Sequence, residues 1–177
     1  MLAYTTSTGT TADRFFAALA DLYAVVYSEP PYREGPDQVA GFREGLPDEA
    51  IRPGFSMIVA EDDGLLVGAA YGWTMPAGTW WSRSDQDPPS DIRDVDKFAV
   101  LEWMTHPGRR ESGIGTELMH QLLSQRTERY ATLAANPASI ARRIYQRTGW
   151  RQVATSTLPW GPPMDLLVRP LPATGEG

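Results

Sequence analysis

The chain has 177 residues, 42% hydrophobic and 21% charged, with a formal net charge of −6. That length suits one domain, residues 1–177, with a substantial apolar core, and the negative charge disfavours general nucleic-acid binding. There is no cysteine, which excludes a thiol nucleophile, a disulfide framework and a thiolate zinc site.

The first residues carry neither the basic nor the apolar segment of a secretory signal. The most apolar stretch, Leu65 to Trp73, is too short to span a bilayer. A cytoplasmic protein with no membrane partner is the expectation. In chain order, residues 2–6 read as a strand. From Ala12 to Ser28 the apolar positions Phe15, Leu19, Leu22 and Val26 fall at helical spacing, with Thr10 or Thr11 as cap and Pro30-Pro31 as stop. A second short helix is expected from Asp37 to Glu44, ended by Gly45. Strands follow at 55–60 and 65–74, joined by a turn through Asp63-Gly64.

Residues 76–96 hold Pro76, Gly78, Pro88, Pro89 and five aspartates, and read as a long loop. Long loops in compact domains are often functional. A strand is expected over 98–105, a loop over 106–112, a helix from about 113 to 128 and a strand over 130–135. Strand, helix, strand in that order implies a parallel pair with a crossover helix. The next helix is punctuated by Asn136 as cap, Pro137 at its first position and Gly149 at its stop, with Ile140, Ala141, Ile144 and Tyr145 on one face. Two more strands are expected, at about 150–155 and 164–168, connected through Pro159 to Pro163.

The segment Arg109-Arg110-Glu111-Ser112-Gly113-Ile114-Gly115-Thr116 lies between a strand and a helix. The first helical turn leaves backbone N–H groups unpaired, and the helix dipole favours an anion there. Gly113 and Gly115 carry no side chain that would keep a diphosphate from the backbone. Arg109 and Arg110 add positive charge at the rim. The P-loop pattern fails for want of a Gly-Lys-Ser/Thr ending, and the dinucleotide fingerprint for want of its third glycine. His106 and His120 read as ordinary residues, and no metal cluster is expected.

Arg110-x-x-Gly113-x-Gly115 resembles the signature of the GCN5-related N-acetyltransferase (GNAT) family. The preceding Glu102-Trp103-Met104-Thr105-His106-Pro107 and the later Asn136-Pro137-Ala138 with Tyr145-Gln146-Arg147-Thr148-Gly149-Trp150 resemble its flanking blocks. The resemblance is sharp from Phe98 to about Val153. It implies an α/β fold: a mixed, mostly antiparallel sheet with a splayed parallel strand pair, flanked by helices. It also implies acetyl-CoA as cosubstrate and no metal. Met104 and Thr105 would offer backbone groups to the pantetheine arm, residues 110 to 116 would wrap the pyrophosphate, and Asn136 would reach the cofactor from the following strand. The glutamate at 111 departs from the small or basic residues usual there, so its side chain should point away. Tyr145 would give a proton to the leaving thiolate.

Glu102 is the only charge between Phe98 and Met104. A carboxylate in a buried strand needs a partner or a cleft, so it is either the base that deprotonates the acceptor amine or half of a salt bridge to an arginine. Trp80, Trp81, Asp85 and Asp87 in the acidic loop are expected to select a cationic acceptor, whether small molecule or peptide. The rivals are an acyl-CoA-binding sensor without turnover and a transferase of longer acyl groups, against which Trp103 and Met104 argue. The acceptor's identity and the oligomeric state, a homodimer included, stay open.

Overall fold

The structure is a computed structural model and describes residues 1–157 and 161–173. Among the described residues, strands β1 (Leu2–Ser7), β2 (Ser56–Asp62), β3 (Leu65–Met75), β4 (Lys97–Thr105), β5 (Tyr130–Ala135), β6 (Arg151–Ser156) and β7 (Met164–Pro170) are accompanied by five α-helices. These are α1 (Phe16–Tyr27), α2 (Pro36–Ala50), α3 (Ser90–Arg93), α4 (Ile114–Ser124) and α5 (Ile140–Arg147). The strands form one mixed sheet in the order β1-β2-β3-β4-β5-β7-β6. Only β4 and β5 are parallel among the pairs described, in register from Lys97 with Tyr130 to Ala99 with Thr132, as the crossover through α4 requires. The part of the connection expected at Pro159 and Trp160 lies outside the described residues.

The chain divides into two compact units, Met1–Trp73 with Leu101–Gln125, and Thr74–Val100 with Arg126–Gly177. In the first, α1 and α2 cover the sheet with a core that includes Phe15, Leu19, Leu22, Leu46, Met57, Tyr71 and Met104. The expected first helix begins instead as a 3₁₀ turn, Gly9–Phe15, entered from Thr8. Thr11 is not the cap itself. Its Oγ1 accepts from the N–H of Thr8, which closes the reciprocal pattern of a capping box.

The second helix is longer than its sequence suggests. Gly45 does not end it, and it runs to Ala50 with Pro47 inside. Pro47 supplies no N–H to the carbonyl four residues back, but the burial of Leu46 and Ala50 holds the last turn. Its start follows local rules, with Pro36 at the first position after Gly35.

In the second unit β7 inserts between β5 and β6, antiparallel to both. The 76–96 segment is more structured than a bare loop. It contains α3, and the single lysine, Lys97, is fully buried below it. The ammonium donates to the carbonyls of Val95 at 2.8 Å and Arg93 at 3.1 Å. Helix α4 stops at Ser124 rather than 128. Helix α5 starts after Ser139, whose hydroxyl accepts from the N–H of Arg142, so Asn136 and Pro137 precede it. Of the expected apolar face Tyr145 is buried, while Ile140 is 69% exposed and Ile144 41%.

Candidate active site

The predicted anion turn lies wholly in the first unit. A 3₁₀ turn, Pro107–Arg109, follows β4, and Gly113 then caps α4 with φ of +85°. A side chain would be strained at that φ, and an added Cβ would meet nothing within 4 Å, so the turn is open on that side. No side chain caps this helix end. The first-turn N–H groups are thus left for an outside acceptor. Gly115 has a different reason for being glycine. A Cβ there would lie 3.1 Å from Thr105 Oγ1 and 3.3 Å from the Trp103 ring. The Trp103 indole N–H also donates to the Gly115 carbonyl at 2.7 Å. Gly115 therefore lets α4 close onto β4, and the strand fixes where the helix N-terminus sits.

The arginines of the turn already have partners. Arg109 pairs with Asp62 at 2.6 Å and Arg110 with Glu29 at 2.7 Å, all but Asp62 substantially exposed. Exposed pairs of this kind contribute about 0–1 kcal/mol, so either arginine can exchange its carboxylate for a phosphate at little cost. Glu111 is exposed, with φ of +63°. The Ser112 hydroxyl donates to the Arg109 carbonyl, and Ile114 is buried while Thr116 is exposed.

Glu102 and Met104 alternate with Trp103 and Thr105 along β4, two residues to each face. Met104 is buried in the first-unit core. The Glu102 carboxylate accepts a hydrogen bond from the Tyr27 hydroxyl, and among the described residues no arginine pairs with it. Burial, with smaller help from Glu49 and Glu34, raises its pKa to about 8, although the Tyr27 bond acts the other way. Burial acts this way because desolvation penalises the charged form of a carboxyl. Once ionised, a group with this value is a stronger base than an ordinary carboxylate.

Around Glu102 the first unit gathers side chains that the sequence reading did not single out. Tyr23 stacks on Phe42 with centroids 4.0 Å apart and lies 4.4 Å from Tyr27. The Tyr23 hydroxyl bonds to Glu34, and the Tyr71 hydroxyl lies against Glu49. The i, i+4 spacing of Tyr23 and Tyr27 was a signal for a shared helix face. Glu49 was hidden because Gly45 read as a helix end.

The remaining candidates lie in the second unit. Tyr145 is buried, edge-on to Trp150 at 5.6 Å. Asn136 is buried too, and its Oδ1 accepts from the N–H of Ala138 at 2.9 Å, within its own turn. The Trp80 indole donates to Ser84 and the Trp81 indole to Thr132, each at 3.0 Å. Asp85 accepts from the Thr155 N–H at 2.9 Å, and Asp87 lies 3.8 Å from Arg93. Among the described residues no group of three or more His, Asp or Glu side chains is placed to hold a metal, and no helix is long and apolar enough to cross a membrane.

A model of the acetyltransferase (GNAT) domain matches residues 53–152, more than half of the chain. The chain belongs to the GNAT acetyltransferase family. No curated protein matches it by sequence. Solved GNAT-type structures share its fold at low identity. The PaiA N-acetyltransferase of Thermoplasma acidophilum, in complex with coenzyme A, is 11% identical with a TM-score of 0.66, covering 96% of this chain and 99% of that one. A GNAT-family acetyltransferase of Staphylococcus aureus is 14% identical with a TM-score of 0.67, covering 97% and 100%. A protein of Corynebacterium glutamicum described as histone acetyltransferase HPA2 and related acetyltransferase is 19% identical with a TM-score of 0.64, covering 98% and 99%. At these identities the likeness concerns the fold, and the family rests on the domain match.

Proposed function

We propose that this GNAT chain is an N-acetyltransferase that moves an acetyl group from acetyl-CoA to a primary amine by direct attack. The observation that carries the reading is the α4 N-terminus, open at Gly113, without a side-chain cap and fixed to β4 through Trp103. These groups fit a diphosphate: backbone donors, the positive end of a dipole, and two arginines in exchangeable pairs. Arg109, Arg110, Glu111, Ser112, Gly113, Ile114, Gly115 and Thr116 form the cofactor turn. Met104 and Thr105 extend it along the strand, and the backbone N–H of Met104 is the proposed donor to the carbonyl oxygen as it gains charge. Asn136 is assigned to the cofactor on the family resemblance alone. Acetyl-CoA, when bound, supplies a thioester that an amine can attack without a covalent enzyme intermediate.

Glu102 receives the proton that the acceptor ammonium must lose, since an alkyl amine with a pKa of about 10.4 is mostly charged near neutrality. The amine nitrogen then bonds to the carbonyl carbon as the carbon–sulfur bond breaks, and the thiolate takes a proton. Tyr145 is proposed as its donor, again on the resemblance. Trp80, Trp81, Asp85 and Asp87 stay proposed acceptor contacts, although each of these side chains has a partner in its own unit.

The test is release of free CoA thiol over a panel of amines. Tyr145→Phe is expected to keep acetyl-CoA binding and lower turnover by about 10²–10⁴. Equal turnover would return Tyr145 to a packing role against Trp150. Acetyl-CoA binding with no thiol release on any amine would favour the sensor instead.

A further inference from the structure

The first unit holds a carboxylate that the proposed transfer does not use. Glu49 stands on the last turn of α2, between the buried Leu46 and Ala50. Its carboxyl meets the hydroxyl of Tyr71, which is 1% exposed. The other oxygen, Oε2, is buried and has no hydrogen-bond partner. Buried carboxylate oxygens are costly when unpaired, and folded proteins satisfy nearly all such atoms. Arg52, three residues on, does not do so. Its guanidinium lies over the Trp73 ring, 4.5 Å from the centroid; its charge favours the ionised form of Glu49, but among the described residues no salt bridge closes on Oε2.

The oxygen is connected to the candidate base by packing. Phe42 lies seven residues before Glu49, on the same face of α2. It stacks on Tyr23, Tyr23 packs on Tyr27, and Tyr27 holds Glu102. This aromatic run leads from the helix of the orphaned oxygen to the carboxyl that would deprotonate the acceptor. Ring faces of this kind also attract cations.

We propose that Glu49 is a specificity-determining residue, whose unpartnered Oε2 receives the second ammonium group of an acceptor that carries two. The preferred acceptors are then diamines and polyamines: one amine gives its proton to Glu102 and is acetylated, while the other stays charged on Glu49. A monoamine leaves the oxygen unsatisfied. The inference rests on the transferase reading and on Glu102 as its base.

The experiment compares 1,4-diaminobutane with butylamine, by CoA release and by calorimetric titration onto the CoA-loaded protein. The parent should prefer the diamine in kcat/KM by at least about tenfold, the range for a hydrogen bond to a charged group. Glu49→Gln keeps the shape and removes the charge. It should bring the ratio to within about twofold by raising KM for the diamine, with KM for acetyl-CoA unchanged. Glu49→Asp should restore part of the preference. Equal use of the two amines by the parent, or a ratio that Glu49→Gln does not move, overturns the inference and leaves the transferase reading standing. If neither amine is acetylated, the titration decides. Diamine binding that is lost in Glu49→Gln supports the assignment of Glu49, and absence of diamine binding to the parent overturns it.

Discussion

Glu102 is ionised only with difficulty. Its pKa of about 8 lies above the ordinary carboxyl value of 4.5, so between those pH values the folded protein holds a proton that the unfolded chain has released. Folding therefore weakens as pH rises through that window, and the stability it costs is fully felt above about pH 8. Glu102→Gln removes this dependence. Its melting temperature should exceed the parent's by several degrees at pH 9, at about 2–4 °C per kcal/mol for a chain of this size, and match it near pH 4. The same substitution should change the kinetics. In the parent, kcat/KM should rise with pH to a bend near 8 whatever the acceptor, and a second bend should follow the acceptor's own pKa. The variant should lose the first bend and keep the second, so its optimum moves up. A bend near 8 that survives in the variant would assign the proton to another group.

The two glycines of the turn between β4 and α4 show how an element sets a site. Gly113 is held at a φ that other residues tolerate poorly, with open space around it, whereas Gly115 sits in ordinary helix against Trp103 and Thr105. Their substitutions should therefore fail differently. Gly113→Asp places a carboxylate in the anion turn. It should cost about 1 kcal/mol in stability from the left-handed backbone and abolish acetyl-CoA binding in a calorimetric titration. Gly115→Val drives its methyl groups into the Trp103 ring, an overpacking of about 1–3 kcal/mol, and should lower the melting temperature more than Gly113→Asp does. If Gly113→Asp folds and binds acetyl-CoA like the parent, the diphosphate is held elsewhere. The 76–96 segment teaches the opposite lesson about elements. Its aspartates and tryptophans suggested a free acidic loop, but it is tied by Lys97, by α3 and by an isolated bridge between Ser84 and Ser156.

For the whole molecule, ligand binding and folding are linked. A ligand that binds only the folded chain adds about 2.7 kcal/mol at a hundredfold excess over its dissociation constant, which corresponds to a rise in melting temperature of about 5–11 °C at this size. Acetyl-CoA at millimolar concentration should produce such a rise in a thermal melt. A curve that ignores it would remove the functional sense of the family membership. Higher salt should shrink the rise, because the proposed contacts of Arg109 and Arg110 to the diphosphate are charged and partly exposed.

What the sequence determined by itself lies in short-range rules. The glycine-capped turn between β4 and α4, Tyr130–Ala135 as a strand, the Asp63-Gly64 hairpin and the parallel pair all follow from spacing, turn chemistry and chain order within a few tens of residues. The isolated charge at Glu102 in an apolar strand likewise marked a position that needs an explanation. Tertiary structure decided the rest. Whether Gly45 ends a helix depends on Leu46 and Ala50 finding a core to bury in, and that core is built by β2 and β3. The partner of Glu102 is Tyr27, 75 residues earlier, not one of the arginines that local composition offered. Glu49 acquired a buried, unpaired oxygen only because α2 extended one turn past the glycine that should have stopped it. Local propensities are worth tenths of a kcal/mol per residue, whereas burying one large side chain contributes about 1.5–3 kcal/mol, so packing overrides the local signal where the two disagree.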